Sequence, residues 1–293
     1  MESIQQVKSR INSVSSTRQI TQSMHMVSSS KIVKSRNRMV ANREFLAETL
    51  QMMELASADL EVRDHPYVTV KKKAEGPDKA AVIVLSSDRG LCGSFNANAC
   101  KEAYALVQEL DNVGIITVGS KGKDYFRRRK PNALEKSYTA VSERPFFEDA
   151  ADIIDPILEL YKKGEVQSIY IVYTKFINML TQEPTVKKLL PLEPKKELEA
   201  QAGAATLEPG TTEFLEMVVP FYIKSFLFSA MLEASVCEQS SRVASMDTAV
   251  KNAGEMIDKL TLTYNKARQT AITQEMIEII GGAKAVQKEK VEG

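Results

Sequence analysis

The chain has 293 residues, enough for one or two domains with a sizeable core. Its 39 Lys and Arg nearly cancel its 38 Asp and Glu, so no global charge directs it to nucleic acid or to an anionic membrane. Three cysteines (Cys92, Cys100, Cys237), with no CxxC pair and no histidine nearby, exclude a disulfide framework and a zinc site and fit a reducing compartment.

Helix breakers are missing from both ends. The first proline is Pro66 and the first glycine Gly76, and after Pro220 the only glycine before Gly281 is Gly254. A continuous helix of about 60 residues is about 90 Å long. A compact globule of this size is only about 50 Å across, so helical ends predict an elongated molecule.

Residues 1–62 are predicted as the first helix. Ile4, Val7, Ile11 and Val14 lie on one seam by 3-4-3 spacing. The apolar residues that follow, Ile20, Met24 and Val27 and then Ile32, Met39, Leu46, Met53 and Leu60, imply a change of phase in the seam. Between Met1 and Arg43 eight Lys or Arg face the single acid Glu2, so overall neutrality conceals a basic helix. That stripe reads as a solvated face or as a match for an acidic partner. The N-terminus has no apolar leader core, and no run reaches about 18 consecutive apolar residues. A soluble protein is expected, with any membrane link made through partners.

The middle, 78–195, has the texture of an α/β domain. Short apolar runs at 80–85, 114–119 and 169–173 read as buried strands, and helical patterns occupy about 97–110, 121–129 and 147–163. This alternation predicts a parallel or mixed sheet with helices on its faces. The small, polar segment 194–213 reads as an exposed loop.

The last helix, 214–286, carries the more regular pattern. Leu232, Val236, Gln239, Val243, Met246, Val250, Ala253, Ile257, Leu260, Tyr264, Ala267 and Ala271 step by fours and threes without a break, a coiled-coil signal. The two ends most simply pair with each other, antiparallel. The alternative is that each pairs with a second copy.

The run Ser86–Asn96 (SSDRGLCGSFN) lies between a predicted strand and a predicted helix, where phosphate-binding loops sit. It lacks the lysine and hydroxyl of a Walker loop and the GxGxxG spacing, so a tight glycine turn competes with a nucleotide site. His25 and His65 are remote from Cys92, which argues for a buried structural thiol. The basic runs 71–73 and 127–130 have no interleaved aromatics and read as solvated faces. No catalytic, cofactor or metal constellation emerges. Near the end, Arg268, Gln269, Thr273 and Glu275 fall on helix faces away from the seam, suited to specific hydrogen bonds with surrounding protein.

Three segments in order, Ile20–Met24 continuing to Ser30-Lys31, the SSDRGLCGSFN loop, and ITQEMIEIIGGAKA at 272–285, resemble the γ subunit family of F-type ATP synthases over essentially the whole chain. The resemblance implies an α/β fold class: an antiparallel coiled coil of the terminal helices and a central Rossmann-like α/β domain. It implies a non-catalytic rotor shaft inside an alternating hexamer of α and β subunits, with the ε subunit and a c-subunit ring at its foot and no cofactor. Carried over residue by residue, it implies contacts to α and β at Met24, Arg242, Arg268, Gln269, Thr273 and Glu275, and a contact to the c ring or ε at Glu208. Asp88, Arg89 and Gly90 then only shape the central domain. The absence of a targeting extension and of an inserted cysteine pair implies the cytoplasmic face of a bacterial membrane. Serines at 28–30 stand where relatives often carry alanine. A stand-alone nucleotide-binding protein with coiled-coil arms and a basic nucleic-acid binder are the rival readings.

Overall fold

The computed structural model describes residues 3–69, 78–194 and 210–289. They form two units, one of the residues up to Val27 with those from Ala244 on, the other of Ser28–Val243. Helix α1 (Ile4–Ser57) and the final helix α5 (Thr211–Glu289) each contribute to both.

The larger unit holds a five-stranded sheet in the order β3-β2-β1-β4-β5. Strands β1 (Lys79–Leu85), β2 (Asn112–Val118), β3 (Leu134–Tyr138) and β4 (Ser168–Phe176) are parallel, and β5 (Gln182–Leu190) runs antiparallel to β4. Helices α2 (Phe95–Glu109), α3 (Ser120–Arg129) and α4 (Phe147–Lys162) connect them. Strand alternation decides what covers each face. Val82 and Val84 of β1 pack with Ala103 and Val107 of α2 and Phe126 of α3. Ala81, Ile83 and Leu85 point the other way, into a core shared with α4 and with buried residues of α1 and α5 such as Met39, Ile223 and Leu227. With both faces covered, β1 is apolar almost throughout, which is why it reads as a continuous run.

The edge strands escape that criterion. β3 is LEKSY, largely exposed or half-buried, and β5 is QEPTVKKLL, with Pro184 inside it. A strand paired on one side only tolerates proline and charge, so neither shows an apolar run. The final helix begins at Thr211, ahead of Pro220. The expected loop 194–213 lies mostly outside the described residues, as does Glu208. One 18-residue stretch of α5 is apolar enough to cross a bilayer, at mean hydropathy 1.5, but 67% of it is buried in the fold. It is a core helix.

In the smaller unit α1 and α5 lie antiparallel: a Cβ at Gly254 would sit 3.9 Å from the Arg18 guanidinium carbon, and seven residues further along α1 His25 acts electrostatically on Asp247, seven residues back along α5. The α5 seam is the one read from the spacing. Val250, Ala253, Ile257, Leu260, Tyr264, Ala267 and Ala271 are half-buried, while most positions between them are exposed.

The α1 seam corrects the expected phase change. Covered positions continue the spacing set at Val7 through Ile11, Val14, Thr21, His25, Ser28, Ile32, Ser35, Met39, Asn42, Leu46, Thr49, Met53 and Ala56. Thr21 and Ser28 are 8% and 3% exposed, whereas Ile20 and Val27 are 63% and 54% exposed. Burying a hydroxyl on a helix costs little when it donates to the carbonyl four residues back. Thr21 Oγ1 does so to Thr17 O and Thr49 Oγ1 to Phe45 O, both at 2.8 Å. Thr21 and Ser28 therefore take seam positions, and their apolar neighbours Ile20 and Val27 face outward.

Candidate functional site

The glycine loop after β1 is filled by its own side chains. Ser86 Oγ donates to Val118 O at 2.8 Å and accepts from the Gly122 amide at 2.9 Å. Asp88 Oδ1 accepts from the Ser120 amide and hydroxyl, both at 3.0 Å, and its Oδ2 accepts from Ser142 Oγ at 2.8 Å. The Ser120 amide of α3 thus already meets the Asp88 carboxylate, Asn96 in the first turn of α2 folds back to accept from the Ser87 amide at 2.9 Å, and a phosphate at this loop would meet the Asp88 charge. Gly119, at φ +97°, closes this corner; a Cβ there would lie 2.4 Å from Ser86 O. Leu91 and Gly93, at φ 61° and 56°, make the tight turn before α2. The loop is a structural turn.

Burial works against ionised Asp88, but hydrogen bonds from Ser142, the Ala140 backbone and Ser120 outweigh it and hold its pKa below the usual carboxylate range. A depressed pKa stabilises the fold above about pH 4, and the contribution is lost as pH falls through the folded value. Asp88→Asn is expected to cost about 2 kcal/mol at neutral pH. The gap from wild type should close in acid, as urea unfolding at several pH values will show.

Arg242 joins this loop to α5. Its side chain is 6% exposed and that of Glu238 4%. The guanidinium donates to Glu238 Oε1 at 2.7 Å, to Gln239 Oε1 at 3.0 Å and to Gly90 O at 3.2 Å. Arg89 pairs with Glu143 at 3.6 Å, and Lys31 of α1 reaches the same carboxylate. Arg89 and Gly90 thus tie the end of the central strand to both terminal helices of this unit, and Asp88 ties it to α3 and Ser142. The structure places Arg242, expected at a partner surface, inside the chain. No spacing rule could have paired it with Gly90.

The thiols are inert packing groups. Burial raises the pKa of Cys92, although hydrogen bonding with Ser87 opposes it, and burial pushes Cys100 up to about 12. Among the described residues no cluster of His, Cys, Asp and Glu could hold a metal. His65 Nε2 lies 3.9 Å from Glu216 on the larger unit's surface, far in sequence from Cys92.

The other expected contact residues are on helix surfaces in the smaller unit. Met24 is half-buried on α1, and Arg268, Gln269, Thr273 and Glu275 are exposed on α5. Thr273 Oγ1 donates to Gln269 O at 2.9 Å. From Ile272 to Gly282 every side chain is exposed, including Ile272 at 47%, Met276 at 52%, Ile277 at 58%, Ile279 at 71% and Ile280 at 56%. Contiguous apolar surface of this kind marks a protein-binding face. Polarity alone drew attention to this end of the helix; the uncovered isoleucines were the signal left unread.

The family model described as ATP synthase matches residues 3–286. A relative from Alkaliphilus metalliredigens, named ATP synthase gamma chain, is 39% identical over 292 residues, covering 97% of this chain and 98% of that one. The chain belongs to the ATP synthase gamma chain family. The gamma chain of Acetobacterium woodii, named sodium ion specific, is 36% identical over 304 residues and covers 97% of this chain and 99% of its own. Among solved structures, a chain of the Tetrahymena thermophila mitochondrial ATP synthase central stalk and c-ring matches with 25% identity and TM-score 0.59, over 78% of this chain and 99% of that one. A chain of the Euglena gracilis mitochondrial enzyme shares the fold at 19% identity and TM-score 0.69, over 98% of this chain and 95% of that one. Membership makes the chain a rotor subunit of a membrane-associated bacterial ATP synthase, and a non-catalytic one.

Proposed function

We propose that the chain is the shaft turning within an alternating hexamer of α and β subunits, with ε and the c-subunit ring at its foot, on the cytoplasmic face of the membrane. The observation that carries this reading is the uncovered apolar run Ile272–Ile280, joined on α1 by Ile20 and Val27. Such surface needs a protein sleeve. Arg268, Gln269, Thr273 and Glu275 lie within or beside the run and supply polar contacts to that sleeve. Met24 and basic residues of α1 face acidic loops of the stator, and Glu208 meets the c ring or ε; Arg242, held inside the chain by Glu238, Gln239 and Gly90, is left out of that contact set. In this division residues 1–62 and 214–286 make the shaft, 78–195 the body and 194–213 its exposed loop.

An asymmetric shaft couples because its orientation decides which catalytic site is open. ATP chemistry then belongs to the β subunits, and the gamma chain supplies only the differential contacts that shift each site between states. Reconstitution with α, β and ε tests the reading. The chain should enter a stoichiometric, ATP-hydrolysing complex, and its absence from that complex would sink the proposal. Met24→Lys puts a new cation beside the acidic loops and strengthens one rotor–stator contact selectively. Ion pumping per ATP in vesicles should fall several-fold while hydrolysis persists. Unchanged pumping per ATP would remove Met24 from the contact set.

A further inference from the structure

Within the larger unit an open recess of about 410 Å³ lies between α1 and the connection from β3 to α4. Lys31, Lys34, Ser35 and Arg38 line one wall. Their spacing of three, one and three puts them on one face of the helix. Glu143 and Arg144 line the other wall. Four cations therefore meet one carboxylate, and Glu143 is already shared between Lys31 and Arg89. Among the described residues Lys34 and Arg144 have no carboxylate partner.

The walls are held before any ligand arrives. Arg38 Nη2 donates to Pro145 O at 2.5 Å, and Ser235 Oγ donates to Glu143 O at 3.2 Å. The guanidinium carbons of Arg38 and Arg144 lie 5.6 Å and 5.3 Å from the centre of the Phe146 ring. Arg38 and Arg144 near one ring, with Lys31 and Lys34 along the α1 wall, set donors around a space larger than one phosphate.

We infer that this recess binds a small anion carrying two or more phosphate groups, such as pyrophosphate or the phosphate tail of a nucleotide. Guanidinium forks match phosphate oxygens two at a time, and the lysines add mobile point charges. A single carboxylate would leave most of the positive charge unanswered. The volume falls in the range of small-molecule sites, about 300–1,000 Å³.

Calorimetric titration of the full-length chain with inorganic pyrophosphate tests the assignment, with orthophosphate, AMP and ADP as comparisons. Saturable one-to-one binding, tighter for pyrophosphate than for orthophosphate and weakened by salt, is expected. Lys34→Gln and Arg144→Gln should each weaken it by about fivefold or more with little change in thermal unfolding, since both side chains are exposed and neither has an ion-pair partner among the described residues. Equal affinity for ADP and pyrophosphate assigns the diphosphate group alone, and tighter ADP binding assigns a nucleotide. No saturable binding at millimolar pyrophosphate, or binding unaltered in both variants, overturns the proposal. In the assembled complex, pyrophosphate should protect Lys34 from amine acetylation read by mass spectrometry. If Lys34 is already shielded there without pyrophosphate, the recess is a subunit contact and the proposal fails.

Discussion

Arg242→Ala is expected to lower the stability of the chain by about 3–5 kcal/mol at neutral pH, because it leaves a carboxylate buried without its counter-charge. The Glu238 side chain is only 4% exposed. Burial raises its pKa, and the hydrogen bond and charge of Arg242 are what hold the rise in check. Without the arginine the carboxylate is pushed further toward its neutral form. A raised folded pKa gives stability that is complete below the unfolded value of about 4.3 and is lost as pH rises through the folded value. The deficit of the variant should therefore shrink between pH 7 and pH 5. Replacing both members, as in Glu238→Met with Arg242→Met, removes the stranded charge and should recover more than half of the loss, since well-packed apolar pairs often match buried ion pairs. Gly90, whose carbonyl Arg242 holds, is half-buried, so water can replace that bond. Amide exchange around Gly90 should still accelerate in the double variant. Urea unfolding of the single and double variants at both pH values decides the matter. A loss under about 1 kcal/mol, or one independent of pH, would mean that the pair is not the latch of this loop.

The pair also marks where sequence reading stops. Arg242 and Glu238 are visibly one helical turn apart, but Gly90, whose carbonyl Arg242 also holds, is 152 residues from the arginine. Only the folded topology brings them together. The α5 seam was legible because its covered positions are mostly apolar or small and its uncovered positions mostly are not. The α1 seam was misread at Ile20 and Val27 because hydrophobicity was followed where local hydroxyl-to-carbonyl bonds had made Thr21 cheap to bury. In the reading proposed above, the same inversion leaves Ile20 and Val27 free to face another subunit. Central strands were found by their two-sided burial, and edge strands β3 and β5 were missed for want of it. The Ser86–Asn96 motif was ambiguous in sequence because a glycine turn before a helix suits either a bound anion or a purely structural corner. Asp88 resolved it only once its partners at Ser120 and Ser142 were visible.

Ala253→Pro should be the most damaging single change to function outside the larger unit. Ala253 is half-buried in the α5 seam, next to Gly254 and facing the stretch of α1 that holds Arg18. Proline there removes the bond to the carbonyl of residue 249 and drives its ring against that carbonyl, at a cost of about 3 kcal/mol or more. Helix α5 already contains Pro220, but that residue lies next to the fully buried Val219 and two residues before the buried Tyr222, in a core that packs around it. Around Ala253 the seam is half-exposed and has little packing with which to resist a kink. The kink would swing the Ile272–Ile280 run away from the axis of its own helix. Isolated Ala253→Pro chain should lose ellipticity at 222 nm and melt in two steps, the smaller unit first. In the assembled synthase, ATP-driven ion pumping should fall far more than ATP hydrolysis, because the sites still bind nucleotide while the shaft no longer presents a fixed face to each in turn. Lys251→Ala, two residues away in an exposed pair with Asp247, should leave both activities unchanged and controls for substitution at this level of the helix. Wild-type pumping per ATP from a complex whose isolated Ala253→Pro chain shows the helical loss would mean that coupling does not require an unbroken α5.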